Sequence, residues 1–206
     1  MELLGIIIVG LLTGGMLSIY VLSIYMQDVF VIKDLTRLIH RTIIIITIHA
    51  VTVISVMRIY YKYENIVQVV SYSMVIILLS IAAVVDIKWK IIPNHLILVG
   101  SFLGSIMLFI NTHITGINII ITIVLLGGLL WMISVFSKGA LGMGDVKLVA
   151  CIGIFLGLQK TLTVICMALV LSGIIAVFLL VFRYADKKKE MPFAPFILVA
   201  TMITIL

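Results

Sequence analysis

The sequence predicts an all-α, polytopic membrane bundle of about eight transmembrane helices, and three observations carry that prediction. Hydrophobic residues fill 64% of the 206 positions and charged residues only 11%, against about 25% charged in an ordinary soluble domain. Mean hydropathy is +1.41, so a soluble core able to bury this chain's apolar surface is excluded. The apolar residues also gather into runs close to the roughly 20 that a hydrocarbon core requires. In lipid such runs must be helical, because every backbone donor and acceptor has to be paired inside the segment.

The runs fall at 3–24, 42–57, 67–85, 95–110, 117–136, 147–158, 161–182 and 193–206. The first lacks the basic start and small-residue cleavage site of a secretory signal, and reads as a permanent helix. The sixth, about 12 residues before Gln159 and Lys160, is short for a crossing and reads as tilted, half-buried or joined to its neighbour. No repeat, low-complexity tract or Pro/Ser-rich linker divides the chain, so residues 1–206 are taken as one domain. Small residues in GLLTGG (10–15) and at Gly127 and Gly128 suit close helix packing in lipid.

Basic residues set the orientation. One alternating set of loops holds Lys33, Arg37, Arg41, Lys88, Lys90, Lys138, Lys147, Arg183, Lys187, Lys188 and Lys189, and the other holds Arg58, Lys62 and Lys160. The positive-inside rule makes the first set cytoplasmic, with the amino terminus outside. The net charge of +6 thus has its origin in topology and anionic lipid; no stacking aromatics are interleaved with it, so nucleic acid is not an expected partner. Tyr60, Tyr61 and Tyr63 on the outer side and Trp89 on the inner side read as interfacial belts. Cys151 and Cys166 form no CxxC and read as small apolar packing residues, while His40, His49, His95 and His113 are scattered. No metal or other cofactor is expected.

Against this background two acids stand out, Asp86 in VVDIKWKIIPN and Asp145 in GALGMGDVK, each where an apolar run meets a polar loop. An ionisable group at the border of a span is costly to desolvate and marks a functional site, with the other acid as its partner. Both loops lie on the side assigned to the cytoplasm, and two antiparallel spans return the chain from one to the other, so the acids can meet. A pair of acids on separate spans suggests an aspartyl hydrolase within the membrane.

Each motif also has a plain structural reading. Gly142 and Gly144 free the backbone for unusual conformations and for close approach of a substrate strand; equally, a Gly-rich turn with Asp145 capping the next helix is ordinary. Asp86 ends the third span and Pro93 stands at the start of the fourth helix, where its missing N–H is not needed; a tight hairpin with Asp86 paired to Lys88 or Lys90 is the alternative. Pro192 and Pro195 open the last run after DKKKE, and a bent helix start accounts for them as well.

Taken together, D-x6-P-N (Asp86, Pro93, Asn94), GMGDVK (142–147) and MPFAPF (191–196) resemble the type IV prepilin peptidases, which are GxGD-type intramembrane aspartyl proteases, over residues 67–206. Presenilin-like GxGD enzymes typically have a tyrosine before the first acid; here Val85 precedes Asp86. The resemblance implies that Asp86 and Asp145 are the catalytic pair, activating water to cut a prepilin or pseudopilin after a glycine that precedes its apolar helix. Two close carboxylates in a low dielectric cannot both ionise cheaply, so one keeps a proton and acts as acid while the other acts as base. The protons belong to the pair, and neither role is assigned individually. Gly142, Gly144, Pro93 and Asn94 would shape the loops, Lys147 would anchor its helix or tune the pair, and Pro192 and Pro195 would line the substrate entrance.

Two departures matter. Family members usually have glycine where this chain has Ala194, which puts backbone approach there in question. Many bacterial members also carry a cytoplasmic CxxC domain between the first two spans and methylate the new pilin terminus; here that loop, 25–41, holds no cysteine. The expectation is a peptidase-only form in the inner membrane, with its site facing the cytoplasm. A proton- or cation-coupled transporter is a rival reading, but it favours acids near mid-span and inverted repeats. A silent pilus or secretion scaffold would be free to lose an acid or a loop glycine.

Overall fold

The computed structural model describes residues 50–110, 115–136, 142–182 and 191–206, and every element among them is helical. The expected first span, most of the second and the short loop 25–41 lie outside the described residues. What is described is α1 (50–62), α2 (Ile66–Trp89), α3 (Asn94–Ile110), α4 (Gly116–Phe136), α5 (Met143–Val181) and α6 (Ala194–Ile205).

Among these, α2, α4 and α5 are long and apolar enough to cross a membrane, whereas α3 has 17 residues and α6 only 12. At 1.5 Å per residue α6 reaches about 18 Å, short of the roughly 30 Å hydrocarbon core. The expected sixth and seventh runs are the two limbs of α5, broken at Gly157, whose φ of 70° and ψ of 178° lie in a region open essentially to glycine alone. A Cβ on Gly153 would stand 3.8 Å from Thr161 Oγ1. Eight residues of straight helix rise about 12 Å, so the chain folds back sharply at Gly157. The break is stabilised from outside: the Leu158 N–H donates to Asn118 Oδ1 at 2.9 Å.

Side-chain links fix the direction of each helix. Asp86, near the end of α2, meets the start of α6, while Tyr63 and Lys62, just before α2, meet the carbonyl of Ile205 at the end of α6. These two helices are therefore antiparallel. Asn94 at the start of α3 meets Lys147 at the start of α5, Asn118 at the start of α4 meets the Gly157 break, and Ser134 near the end of α4 meets Met143. The bundle thus has an acid end, where α2 and α4 finish and α3, α5 and α6 begin, and a far end built from Tyr63, Tyr72 and Lys160.

The core between the ends is a dry seam of Val75, Ile76 and Leu79 from α2, Leu148, Val149 and Ile152 from α5, and Ile197 from α6. Outward-facing Leu98, Phe102 and Phe109 of α3, Val124 of α4 and Val170 and Val177 of the second α5 limb are exposed, a surface that only lipid solvates well. Cys151 packs in the core as expected, whereas Cys166 is exposed. Among the described residues the glycine pair at 127 and 128 makes no close packing, since a Cβ on Gly127 would find an ordinary contact and one on Gly128 open space; a tight approach falls at Gly100, where an added Cβ would stand 2.8 Å from Cys151 Sγ.

Candidate active site

The first acid sits in the last full turn of α2, not past its end. The helix continues to Trp89, and Lys90 then takes a left-handed conformation (φ 55°, ψ 35°) with its N–H closing on the Asp86 carbonyl at 2.8 Å. Ending a helix this way satisfies a terminal carbonyl. The extra turn is possible because the Asp86 side chain, only 5% exposed, has a partner inside the protein. Its Oδ2 accepts the Ala194 N–H at 2.9 Å. MPFAPF thus forms the wall against which Asp86 rests.

The second acid is held by its own helix. Gly142 is the N-cap of α5 and Asp145 stands three residues on, the position from which an acid reaches back to the cap N–H; it hydrogen-bonds the Gly142 backbone in this way. A Cβ on Gly142 would lie 3.0 Å from Asp145 Oδ2. Gly142 itself has φ −64° and ψ 137°, a conformation any residue adopts, and Gly144 is helical. The expectation that these glycines supply unusual backbone conformations is therefore corrected: what each supplies is a missing Cβ. At Gly144 the space is taken by Ile92, whose Cβ would be 3.1 Å away.

That contact, with the Lys147 Nζ donating to Asn94 Oδ1 at 3.0 Å, presses the IIPN loop onto the GxGD turn. Pro93 is the cap residue of α3, its carbonyl accepting from the N–H groups of Leu96 and Ile97. These contacts bring the loop that follows Asp86 onto the turn that carries Asp145. Helix capping accounts for one oxygen of Asp145. Its Oδ1 is buried with no hydrogen-bond partner among the described residues, a costly state for a carboxylate that capping does not explain.

Of the residues singled out in the sequence, Asp86, Pro93, Asn94, Gly142, Gly144, Asp145 and Lys147 come together at the acid end. Pro192 and Pro195 flank the two N–H donors, with Pro195 in the first turn of α6. Sequence reasoning missed Ile92 and the backbone of Phe193 and Ala194, although two prolines bracketing two ordinary residues are a signal for aimed N–H groups. Among the described residues no three His, Cys, Asp or Glu side chains converge as a metal site.

Comparison with known proteins agrees with this arrangement. The family model for the type IV leader peptidase family matches residues 73–180, more than half of the chain and a stretch containing both acids. A curated prepilin leader peptidase/N-methyltransferase of Pseudomonas putida is 26% identical over 129 residues, covering 60% of this chain. The chain spans 45% of that relative's length. No solved structure matches. With both aspartates inside the matched region and held at one end of the bundle, the chain belongs to the type IV leader peptidase family.

Proposed function

We propose that this chain is an intramembrane aspartyl endopeptidase that removes the leader of a type IV prepilin or pseudopilin, cutting after a glycine at the cytoplasmic edge of the membrane. The observation that carries the reading is the second free valence at the acid end: Asp86 accepts the Ala194 N–H and Asp145 stands at the cap of its own helix, yet Asp145 Oδ1 is buried with no hydrogen-bond partner among the described residues. Water held between the acids, and the scissile carbonyl beyond it, complete that valence.

In this mechanism the ionised carboxylate takes a proton from water as its oxygen attacks the carbonyl carbon. The protonated partner stabilises the developing oxyanion by hydrogen bonding, and the departing amine leaves protonated. The chemistry needs no metal. A pair sharing one proton implies a bell-shaped pH–rate profile that belongs to both acids together.

The printed name of the Pseudomonas putida relative combines peptidase and N-methyltransferase; only the first is proposed here. The loop 25–41 is too short to build a pocket of the several hundred Å³ that a nucleoside cofactor occupies. The test combines purified protein in lipid with prepilin and S-adenosylmethionine, read by mass. The expected product is a pilin shortened at the glycine and unmethylated. Asp86→Asn and Asp145→Asn, at normal membrane levels, should each lose about 10²- to 10⁴-fold in rate; efficient cleavage by either removes that residue from the mechanism.

Orientation is part of the same reading, with about eight spans, the amino terminus outside and the acid end inside. Lys88, Lys90 and Lys147 lie at the acid end, and Lys62 and Lys160 at the far end. A reporter fused after Lys90 is expected to be cytoplasmic; external signal from it would reverse the map.

A further inference from the structure

We infer that the backbone N–H of Ala194 is a positioning group for Asp86, so that the first turn of α6, and not only the helix that carries the acid, sets where the carboxylate stands. The inference rests on the peptidase reading, in which Asp86 is one of the two reacting acids.

The run Pro192, Phe193, Ala194, Pro195 has four backbone nitrogens, of which the two prolines lack hydrogens. Only Phe193 and Ala194 bring donors, and the Ala194 N–H donates to Asp86 Oδ2 at 2.9 Å. Ala194 is the first residue of α6, a position whose N–H has no partner within its own helix. The bond to Asp86 is therefore taken from nothing else, and it places a carboxylate at the positive end of a helix, where a negative charge is favoured.

The donor is itself firmly held. Ala194, Ile197 and Ala200 are completely buried, and the other end of α6 is tied through the Ile205 carbonyl to Lys62 Nζ at 3.0 Å and Tyr63 Oη at 3.2 Å. A short helix fixed at both ends presents its first N–H in one place. The two acids are thus positioned differently: Asp145 leans on a cap three residues before it, whereas Asp86 leans on a residue 108 positions away. This also resolves the alanine at 194, since any residue except proline supplies the N–H and the buried site requires only that the side chain be small.

The experiment replaces Ala194 with lactic acid by cell-free synthesis into lipid nanodiscs, exchanging the N–H for an ester oxygen while keeping the methyl group. Because this N–H lies outside the helical ladder, no helical N–H bond is lost. The rate constant kcat on a prepilin is expected to fall about 10- to 100-fold, with KM within about twofold. One limb of the pH–rate profile should move, because the ionised carboxylate loses a hydrogen bond that favours it. Ala194→Gly, which keeps the donor, should preserve the rate and both limbs.

A reciprocal measurement does not depend on the ester variant's accumulation. In Asp86→Ala, amide-resolved hydrogen exchange at Ala194 should rise about tenfold or more, while Ile197 keeps its protection. Wild-type kcat and pH limbs in the ester variant, a loss confined to KM, an equal fall in Ala194→Gly, or unchanged exchange at Ala194 would each overturn the inference. Cleavage by Asp86→Asn would instead overturn the peptidase reading; an inactive Asp86→Asn beside a fully active ester variant would sink the positioning role alone.

Discussion

The two ends of the bundle use the same electrostatics with opposite sign. At the acid end the N-termini of α5 and α6 present N–H groups to carboxylates; at the far end the C-terminus of α6 presents the Ile205 carbonyl to Lys62 and Tyr63. Both arrangements follow the helix dipole. They differ in what is left over. At the far end Lys160 donates to Tyr72 Oη and lies over the Tyr72 ring at 4.4 Å and the Tyr63 ring at 5.4 Å, and the two rings meet edge to face at 4.9 Å. These three groups are closed on one another, although Ser71 Oγ, next to Tyr72 on α2, is buried with no hydrogen-bond partner among the described residues. At the acid end the buried oxygen without such a partner among the described residues is a carboxylate's, Asp145 Oδ1. A lone hydroxyl left so costs far less than a carboxylate oxygen in the same state, and it is the carboxylate that the proposed function puts to use.

That contrast separates into two measurable behaviours. The larger effect is expected from Gly142→Ala. The backbone there accepts alanine, but the new Cβ would stand 3.0 Å from Asp145 Oδ2 and displace the acid. The carboxylate has to yield by a few tenths of an ångström, and since misplacement on the scale of 1 Å can cost about 100-fold in rate, kcat should fall about 10-fold while the thermal midpoint changes little. A variant that melts early and keeps its kcat would show that Gly142 serves folding and not the site.

The smaller effect is expected at the opposite end. Lys160→Ala removes the ammonium from Tyr72 and from two ring faces, and should cost roughly 1–3 kcal/mol of stability, read as a lower midpoint in lipid. Its kcat and KM on a prepilin should stay within about twofold, because Tyr72 and Asp86 are 14 residues apart on α2, about 21 Å of helix. A large fall in kcat without loss of stability would erase the distinction between the ends.

Much of this site was legible before the fold was known, and for identifiable reasons. Asp86 and Asp145 stand out because an acid in apolar surroundings is conspicuous at any spacing, and GMGDVK and IIPN are short, local patterns. The glycines were legible as necessary but not in their purpose. A missing Cβ at 142 serves an oxygen three residues ahead, and the one at 144 serves Ile92 from another loop; a sequence records the gap without recording who fills it. The Gly157 fold-back was half legible, as a sixth run too short to cross. What stabilises it is an Asn118 side chain from a neighbouring helix that meets the freed Leu158 N–H, a contact that periodicity does not encode.

The sequence by itself determined that the chain is helical and lipid-facing, because runs of apolar residues in a bilayer allow no unpaired backbone. It also singled out the two acids that are proposed to carry the chemistry, because uncompensated charge is too costly to occur there without a purpose. Only the tertiary structure decided how those acids are held. Asp145 is fixed by its own helix cap and Asp86 by the first turn of the last helix, since a hydrogen bond depends on where a donor lies in space, and the Ala194 N–H is remote from Asp86 along the chain until α2 and α6 pack antiparallel.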